Sequence, residues 1–411
     1  MAYLLTVKEG HVTNPSRSTQ PRRGGTKGGP ASGPRVLQLI TLSDWGGAQQ
    51  CVLSLARGLR DHYDMTVACG PDGPLVDRLR REGIRVIEIP SLVRTPRFLS
   101  DIKTLWTLAR VMHAERFALV HCHSTKAGLL GRIAARIAGV PAVLFTAHGW
   151  QFAGEWPVVM RLAMVVSEWV TGRLSTAIVC VSHYDRVLAL KMRLAAPDRM
   201  VVVHNGVDPR PWLGNGLPPD PQDCARPCTA VMVGRLTVQK DPATLLAAWR
   251  AVPRPHRLIL VGDGPLLPDL MAQVRRDGLE ERVTFMASTT DIPALLRTAD
   301  VFVLSSRWEG LPLAIIEAMM SGLPVVGTRV GGVAEVMVDG ETGLLVPPKD
   351  PEALASALNR LLEDAGLRRQ MGEAGRRRAL DRFTEARMLA ETTAVYSRSL
   401  EVRGRAAAES A

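Results

Sequence analysis

The feature that most limits how this chain can fold is a rhythm. Short runs rich in β-branched residues recur with helix-length stretches between them: RVLQLI (35–40), DMTVAC (64–69), IRVIEIP (84–90), ALVHCH (118–123), AVLFTAH (142–148), AIVCVS (177–182) and MVVVHNG (200–206). Near-continuous apolar runs of that length suit parallel strands buried on both faces, and alternation with helices implies a doubly wound sheet. The rhythm then stops. DPRPWLGNGLPPDPQDCARP (208–227) is crowded with Pro, Gly and Asp, reads as a linker and cannot be a regular element. After it the pattern restarts with TAVMVG (229–234), RLILVGDGP (257–265), RVTFMA (282–287), DVFVLSS (300–306), LPVVGT (323–328) and GLLVPP (343–348). The fold class is therefore α/β, with two doubly wound Rossmann-like domains. Ligands of open α/β sheets bind at the strand C-termini, so the cleft between the domains is the expected site.

The composition agrees and narrows the function. Apolar residues are 46% of the 411, enough for two cores. The net charge of +11 suits phosphorylated ligands or an anionic membrane surface. Nucleic acid is disfavoured, because aromatics are only 5% and no compact Lys/Arg block interleaves with them. The six cysteines are scattered without a C-x-x-C pair, which points to reduced thiols and away from a disulfide framework or zinc site. MAYLLTVKEG at the start holds an apolar run too short for a secretory signal. No stretch reaches the roughly 18 apolar residues of a membrane span. The nearest, Trp156–Leu174, is interrupted by Arg161, Glu168 and Arg173 and reads as an amphipathic or buried helix. Residues 10–34 are rich in Gly, Pro, Ser, Thr and Arg and lack the apolar content to order themselves.

Two segments carry the chemistry. In SSRWEGLPLAIIEAMMSGLPVVGT (305–328), a strand ends, Arg307–Leu311 turns, and Pro312 suits the first turn of a helix. The amides near Gly310–Leu313 then form an anion site fit for a diphosphate, and Gly310 permits close backbone approach. Glu309 precedes the helix. Glu317 lies more than a turn inside it, in LAIIEAMM, where a buried carboxylate needs a partner. In VMVGRLTVQKD (231–241), Arg235 and Lys240 project from one loop beyond a strand end, ahead of an expected N-cap at Asp241. Two cations there would stabilise a departing diphosphate. His121 and His123 share one face of a strand, but no third and fourth metal ligand accompanies them.

G-R-L-x-x-Q-K followed by E-G-L-P-L-x-x-x-E-A-M closely resembles glycosyltransferase family four, the retaining enzymes of GT-B fold. VGDGP (261–265), HNGVD (204–208) and GGAQ (46–49) add to the resemblance, which covers about Arg35 to Leu400. VHCHSTKAGLLGRIAARIAGVPAVLFTAHGW (120–150) resembles the branch that builds bacterial surface polysaccharides on lipid carriers. The composition makes 1–34 an expected disordered basic leader, and the resemblance makes 35–210 an N-terminal acceptor domain. A linker follows at 211–227, then a nucleotide-sugar donor domain at 228–384. A C-terminal helix and tail at 385–411 return to the first domain.

By the same resemblance, Arg235 and Lys240 bind the donor diphosphate, Glu317 the ribose hydroxyls and Glu309 the sugar hydroxyls. His148 contacts the sugar near the reacting carbon. Gly46 and Gly47 form the loop over the donor phosphates, and Gly310 and Leu311 belong to the donor turn. FMASTTDIP (285–293) lies near the base but lacks the family's usual Gly and charged residues, so the base is not fixed. The implied reaction is transfer from a nucleotide-diphosphate sugar, a UDP-sugar by expectation, to a glycan or polyprenyl-linked acceptor. It needs neither metal nor cofactor, since the chain has no D-x-D triplet. The expected location is cytoplasmic, on the inner membrane face, with weak attachment to anionic lipid. The alternatives are a non-catalytic nucleotide-binding scaffold and a GT-B epimerase or phosphorylase.

Overall fold

The computed structural model describes residues 33–213, 226–287 and 291–408. Nearly all of the expected leader, most of the linker and part of the FMASTTDIP segment lie outside them. In the first domain the elements run β1 (Arg35–Ile40), α1 (Gly47–Gly58), β2 (Asp64–Cys69), α2 (Pro74–Arg81), β3 (Arg85–Glu88), α3 (Phe98–Glu115), β4 (Leu119–His123), α4 (Thr125–Ile137), β5 (Ala142–Ala147), α5 (Val158–Leu174), β6 (Ala177–Cys180), α6 (His183–Lys191) and β7 (Met200–Val202). The second domain continues with β8 (Thr229–Val233), α7 (Pro242–Trp249), β9 (Arg257–Val261), α8 (Leu267–Arg276), β10 (Val283–Met286), α9 (Ile292–Arg297), β11 (Val301–Leu304), α10 (Leu313–Met320), β12 (Val325–Thr328), α11 (Val333–Val336), β13 (Gly343–Val346), α12 (Pro351–Glu363) and α13 (Ala365–Arg382), and the chain closes with α14 (Glu385–Ala408).

Every strand pairing in both sheets is parallel. The first sheet has the order β3-β2-β1-β4-β5-β6-β7 and the second β10-β9-β8-β11-β12-β13. In each, winding reverses direction beside the first strand, between β1 and β4 and between β8 and β11. Those reversals leave crevices at the strand C-termini where ligands bind. This is the GT-B architecture, and helices cover both faces of the sheets.

The chain crosses between the domains twice. A bridge pairs Val207 with Thr384, and Gly206 packs so closely on the Thr384 carbonyl that a Cβ would stand 2.2 Å from its oxygen. Trp212, expected within the linker, instead belongs to the buried core of the second domain. Helix α14 returns to the first domain, where Met388 and Tyr396 join the core of α1 and β1.

Helix α5 corrects the reading of Trp156–Leu174 as amphipathic or buried. Its charged Glu168 faces inward, 2.6 Å from the buried Arg132. Val158, Val159, Leu162, Val166, Trp169 and Val170 stand exposed. Glu168 turns inward because Arg132, stacked over Phe145, needs a buried counter-charge, and it shares that inner face with Met164 and Val165.

Candidate active site

The loops after β8 and β11, at the switch point of the second sheet, are clamped to each other. Ser305 Oγ donates to the carbonyls of Lys240 and Asp241 at 3.0 and 2.9 Å. Gln239 Nε2 donates to the Trp308 carbonyl at 3.1 Å. Asp241 takes a left-handed conformation (φ 47°) ahead of α7. Its carboxylate does not cap the helix backbone as expected; it accepts from Thr244 and pairs with Arg307.

This clamp brings Lys240 Nζ to 2.5 Å from Glu309 Oε1, where Ser306 Oγ also donates at 2.6 Å. The sequence reading assigned the two charges to different parts of a ligand and did not foresee their pairing. Arg235 lies in the same field. Burial and the neighbouring Arg94 hold its pKa below the ordinary value, against Glu309 and Asp44. Gly332 N–H donates to the Gly310 carbonyl at 2.8 Å. Gly331, at φ 51°, approaches the Glu309 carbonyl so closely that only glycine fits.

The first domain supplies the opposite wall. Gly46 and Gly47, expected as a loop, are the N-cap and first residue of α1, so a helix N-terminus sits at that switch point too. A Cβ on Gly47 would lie 3.5 Å from Leu313 Cδ1, so the starts of α1 and α10 face each other. Pro312 is the N-cap of α10, one residue ahead of the expected position. One turn in, Gln50 Nε2 donates to Glu317 Oε1 at 3.3 Å, which joins the domains. Glu317 is half-buried. The surrounding protein nevertheless desolvates its carboxyl enough to push it up to about 7, against that hydrogen bond.

His148 directly follows β5, and its backbone with Gly149 covers the donor turn. A Cβ on Gly310 would stand 2.7 Å from Gly149 N and 2.8 Å from the His148 carbonyl oxygen. The close approach that Gly310 permits is thus made by the protein's own backbone, beside the buried Leu311. Burial pulls the His148 imidazole down to about 4, so it is neutral near pH 7.

His148, Arg235, Lys240, Glu309, Gly310, Leu311, Glu317, Gly46 and Gly47 therefore gather at the switch points of two facing sheets. Sequence reasoning missed Gln50, Arg94 and the Gly331-Gly332 pair. Only GTRVGGV (327–333) carried a local signal, a doubled glycine just after a strand. His121 and His123 are buried in the first sheet and hydrogen-bonded to Thr146, Gln38, His148 and Tyr396 of α14. Among the described residues His183, His204 and Glu335 cluster as metal ligands could. Glu335, however, already accepts from the amides of His183 and Tyr184 at 2.8 and 2.7 Å and from His204 at 3.1 Å. It caps α6 from the other domain.

Chemically, the site offers two cations and the amides of a helix start for an anion. Two carboxylates and a neutral imidazole are available for hydroxyl groups. Comparison with known proteins gives the same class. The model for Glycosyltransferase Family 4 matches residues 45–210, and that for Glycosyl transferases group 1 matches 227–364. A UDP-Gal:alpha-D-GlcNAc-diphosphoundecaprenol alpha-1,3-galactosyltransferase of Escherichia coli is 32% identical over 74% of this chain and 81% of its own. An alpha-maltose-1-phosphate synthase of Mycolicibacterium smegmatis is 35% identical over 86% of this chain and 95% of its own. Among solved structures, Anabaena HepE in complex with UDP-glucose superposes with a TM-score of 0.78 at 24% identity, covering 88% of this chain and 99% of that one. The chain belongs to glycosyltransferase family 4 and is a glycosyltransferase of GT-B fold.

Proposed function

We propose that this enzyme moves a sugar, with retention, from a UDP-sugar to a polyprenyl-linked or glycan acceptor met at the membrane surface in surface-polysaccharide synthesis. The observation that carries the reading is the convergence of Arg235, Lys240, the α10 N-terminus, Glu309 and Glu317 on one wall, with His148 on the other. The diphosphate lies against the two cations and the helix amides, which stabilise it as it departs. Glu317 accepts from the ribose diol, Glu309 from the sugar, and His148 lies beside the reacting carbon. The acceptor hydroxyl enters on the face of the leaving group and gives its proton to a donor phosphate oxygen. Protein cations and amides do the neutralising, so the reaction proceeds without metal or cofactor. The Escherichia coli relative, whose name specifies UDP-galactose and a diphosphoundecaprenol acceptor, supports both substrates.

The membrane part of the proposal rests on a surface. Helices α3 and α5 both pack against α4. They expose Phe98, Leu99, Trp106 and Trp169 alongside the apolar face of α5, with Arg173 stacked on Trp169. Aromatic and basic residues on an apolar face suit the lipid headgroup boundary. No helix among the described residues is long and apolar enough to cross a membrane. Among the described residues Cys51, Cys69, Cys122 and Cys180 are free, buried thiols, in keeping with a cytoplasmic location.

A second reading keeps the same donor site with a soluble phosphorylated sugar as acceptor or product. The name of the more identical relative, alpha-maltose-1-phosphate synthase, favours it. Incubating purified enzyme and a panel of labelled nucleotide sugars with either a membrane extract or sugar phosphates separates the two. Label in the organic phase supports the first reading. Label only in the aqueous phosphorylated product replaces it with the second.

A further inference from the structure

A buried line of hydrogen bonds leads from the C-terminal helix to His148. Thr146 Oγ1 meets His121 Nε2 at 2.6 Å, and His121 Nδ1 meets the Tyr396 hydroxyl at 2.8 Å. Gln38 Nε2 donates to that hydroxyl at 2.6 Å, and Gln38 Oε1 meets His123 Nε2 at 2.6 Å. His123 Nδ1 then meets His148 Nε2 at 2.9 Å. Every member before His148 is buried, so no exposed side chain interrupts the line.

The direction of the line follows from which group donates to which. Gln38 Nε2 donates to the Tyr396 oxygen, and an imidazole nitrogen without a proton is an acceptor. The Tyr396 proton therefore goes to His121 Nδ1. A hydroxyl has one proton, so Tyr396 offers Gln38 only lone pairs, and Gln38 turns its NH2 toward them. Its amide oxygen then faces His123 and can only accept, which puts the His123 proton on Nε2. Burial keeps both His123 and His148 neutral at pH 7, so each ring carries one proton. His123 Nδ1 is left as an acceptor, and His148 donates to it from Nε2.

We propose that Tyr396 is a positioning residue for sugar transfer. Through Gln38 and His123 it fixes His148 as the Nε2–H tautomer, leaving Nδ1 to accept from a hydroxyl of the donor. The proposal rests on the reading of His148 beside the donor sugar. It gives α14 a role beyond packing, since the hydroxyl that decides the tautomer comes from the last helix of the chain.

The test is imidazole nitrogen NMR on the full chain carrying 15N-histidine, with His148 assigned by its loss in His148→Ala. The wild type should have His148 protonated at Nε2. In Tyr396→Phe, which keeps the ring packed on Tyr63, Gln38 can turn over, and the Nδ1–H form should appear. The kcat should fall about two- to tenfold, the scale of one hydrogen bond, with KM for the donor within about twofold. The same change in a His148→Ala background should lower kcat no further. Gln38→Met removes the acceptor of His123 and should also drive His148 to Nδ1–H, should Tyr396→Phe fold poorly. A wild-type His148 protonated at Nδ1, or a tautomer unmoved in both variants, would overturn the wiring. An equal loss of kcat with and without His148 would make Tyr396 merely structural. A tautomer that shifts while His148→Ala retains full kcat would overturn the proposal through the donor reading instead.

Discussion

Lys240 Nζ lies 2.5 Å from Glu309 Oε1, joining the loop after β8 to the turn before α10 by an ion pair largely shielded from water. The same two groups hold the site together and are proposed to bind its ligand. Lys240→Ala strands a carboxylate that retains only Ser306, and should cost about 1–3 kcal/mol of stability as well as donor affinity. Glu309→Gln keeps a hydrogen-bonding side chain and should cost less. A double-mutant cycle followed by denaturant unfolding measures their coupling; additive losses would mean that the contact contributes nothing.

The two glutamates should separate kinetically. Glu317→Gln should mainly weaken nucleotide binding, because the ribose is remote from the breaking bond, whereas Glu309→Gln should mainly lower kcat. Assayed at pH 8, above the value of about 7 at which Glu317 ionises, each loses a charge-assisted hydrogen bond, about 1.5–3 kcal/mol, or roughly ten- to a hundredfold. Calorimetry with UDP beside steady-state rates decides. Normal UDP affinity in Glu317→Gln together with its loss in Glu309→Gln would reverse the roles.

Glu317 also predicts a pH effect on stability. Its carboxyl, at about 7 when folded, lies above the roughly 4.3 of a free glutamate. Below the lower value both states hold the proton. As pH rises through about 7 the unfolded chain has released a proton that the fold had retained, and stability falls. Glu317→Gln should thus melt higher than wild type at pH 8, with the gap closing at pH 4. A gap independent of pH would remove the titration from the account.

What was legible in the sequence was whatever repeats locally. The inner strands announced themselves because a parallel strand buried on both faces needs a continuous apolar run, and the part-exposed edge strands β3 and β10 by their place in the same alternation with helices. The two donor loops were legible from Gly, Pro and charge at strand ends. Contacts between distant segments were not: nothing near Gln50 points to Glu317, and nothing near Lys240 points to Glu309. Helix α5 was misread because Glu168 looked like a break in an apolar helix, when it is the residue that holds the helix down through Arg132.

The exposed apolar face of α5 has consequences at the membrane. Weak, salt-sensitive binding to anionic vesicles is expected, since headgroup attraction decays within a Debye length of about 8 Å at physiological salt. Replacing Val159, Leu162 and Trp169 together by serine should reduce vesicle binding at least tenfold without lowering the melting temperature, because these side chains already face outward. Co-sedimentation at low and high salt reads it. Vesicle binding unchanged by the triple substitution would move the contact elsewhere.

Metal independence should appear as full transfer activity in excess chelator. Activity abolished there and restored only by magnesium or manganese would contradict it, and would turn attention to His183, His204 and Glu335.

The central claim is that Lys240, Glu309 and the start of α10 form the donor site of a working transferase. Its most direct measurement is transfer from labelled UDP-sugars to a membrane extract, run side by side for wild type and Glu309→Gln. The account predicts organic-soluble product with at least one sugar, reduced at least tenfold in the variant while the variant still folds. Equal product from both proteins, or none from wild type with any donor, would contradict it.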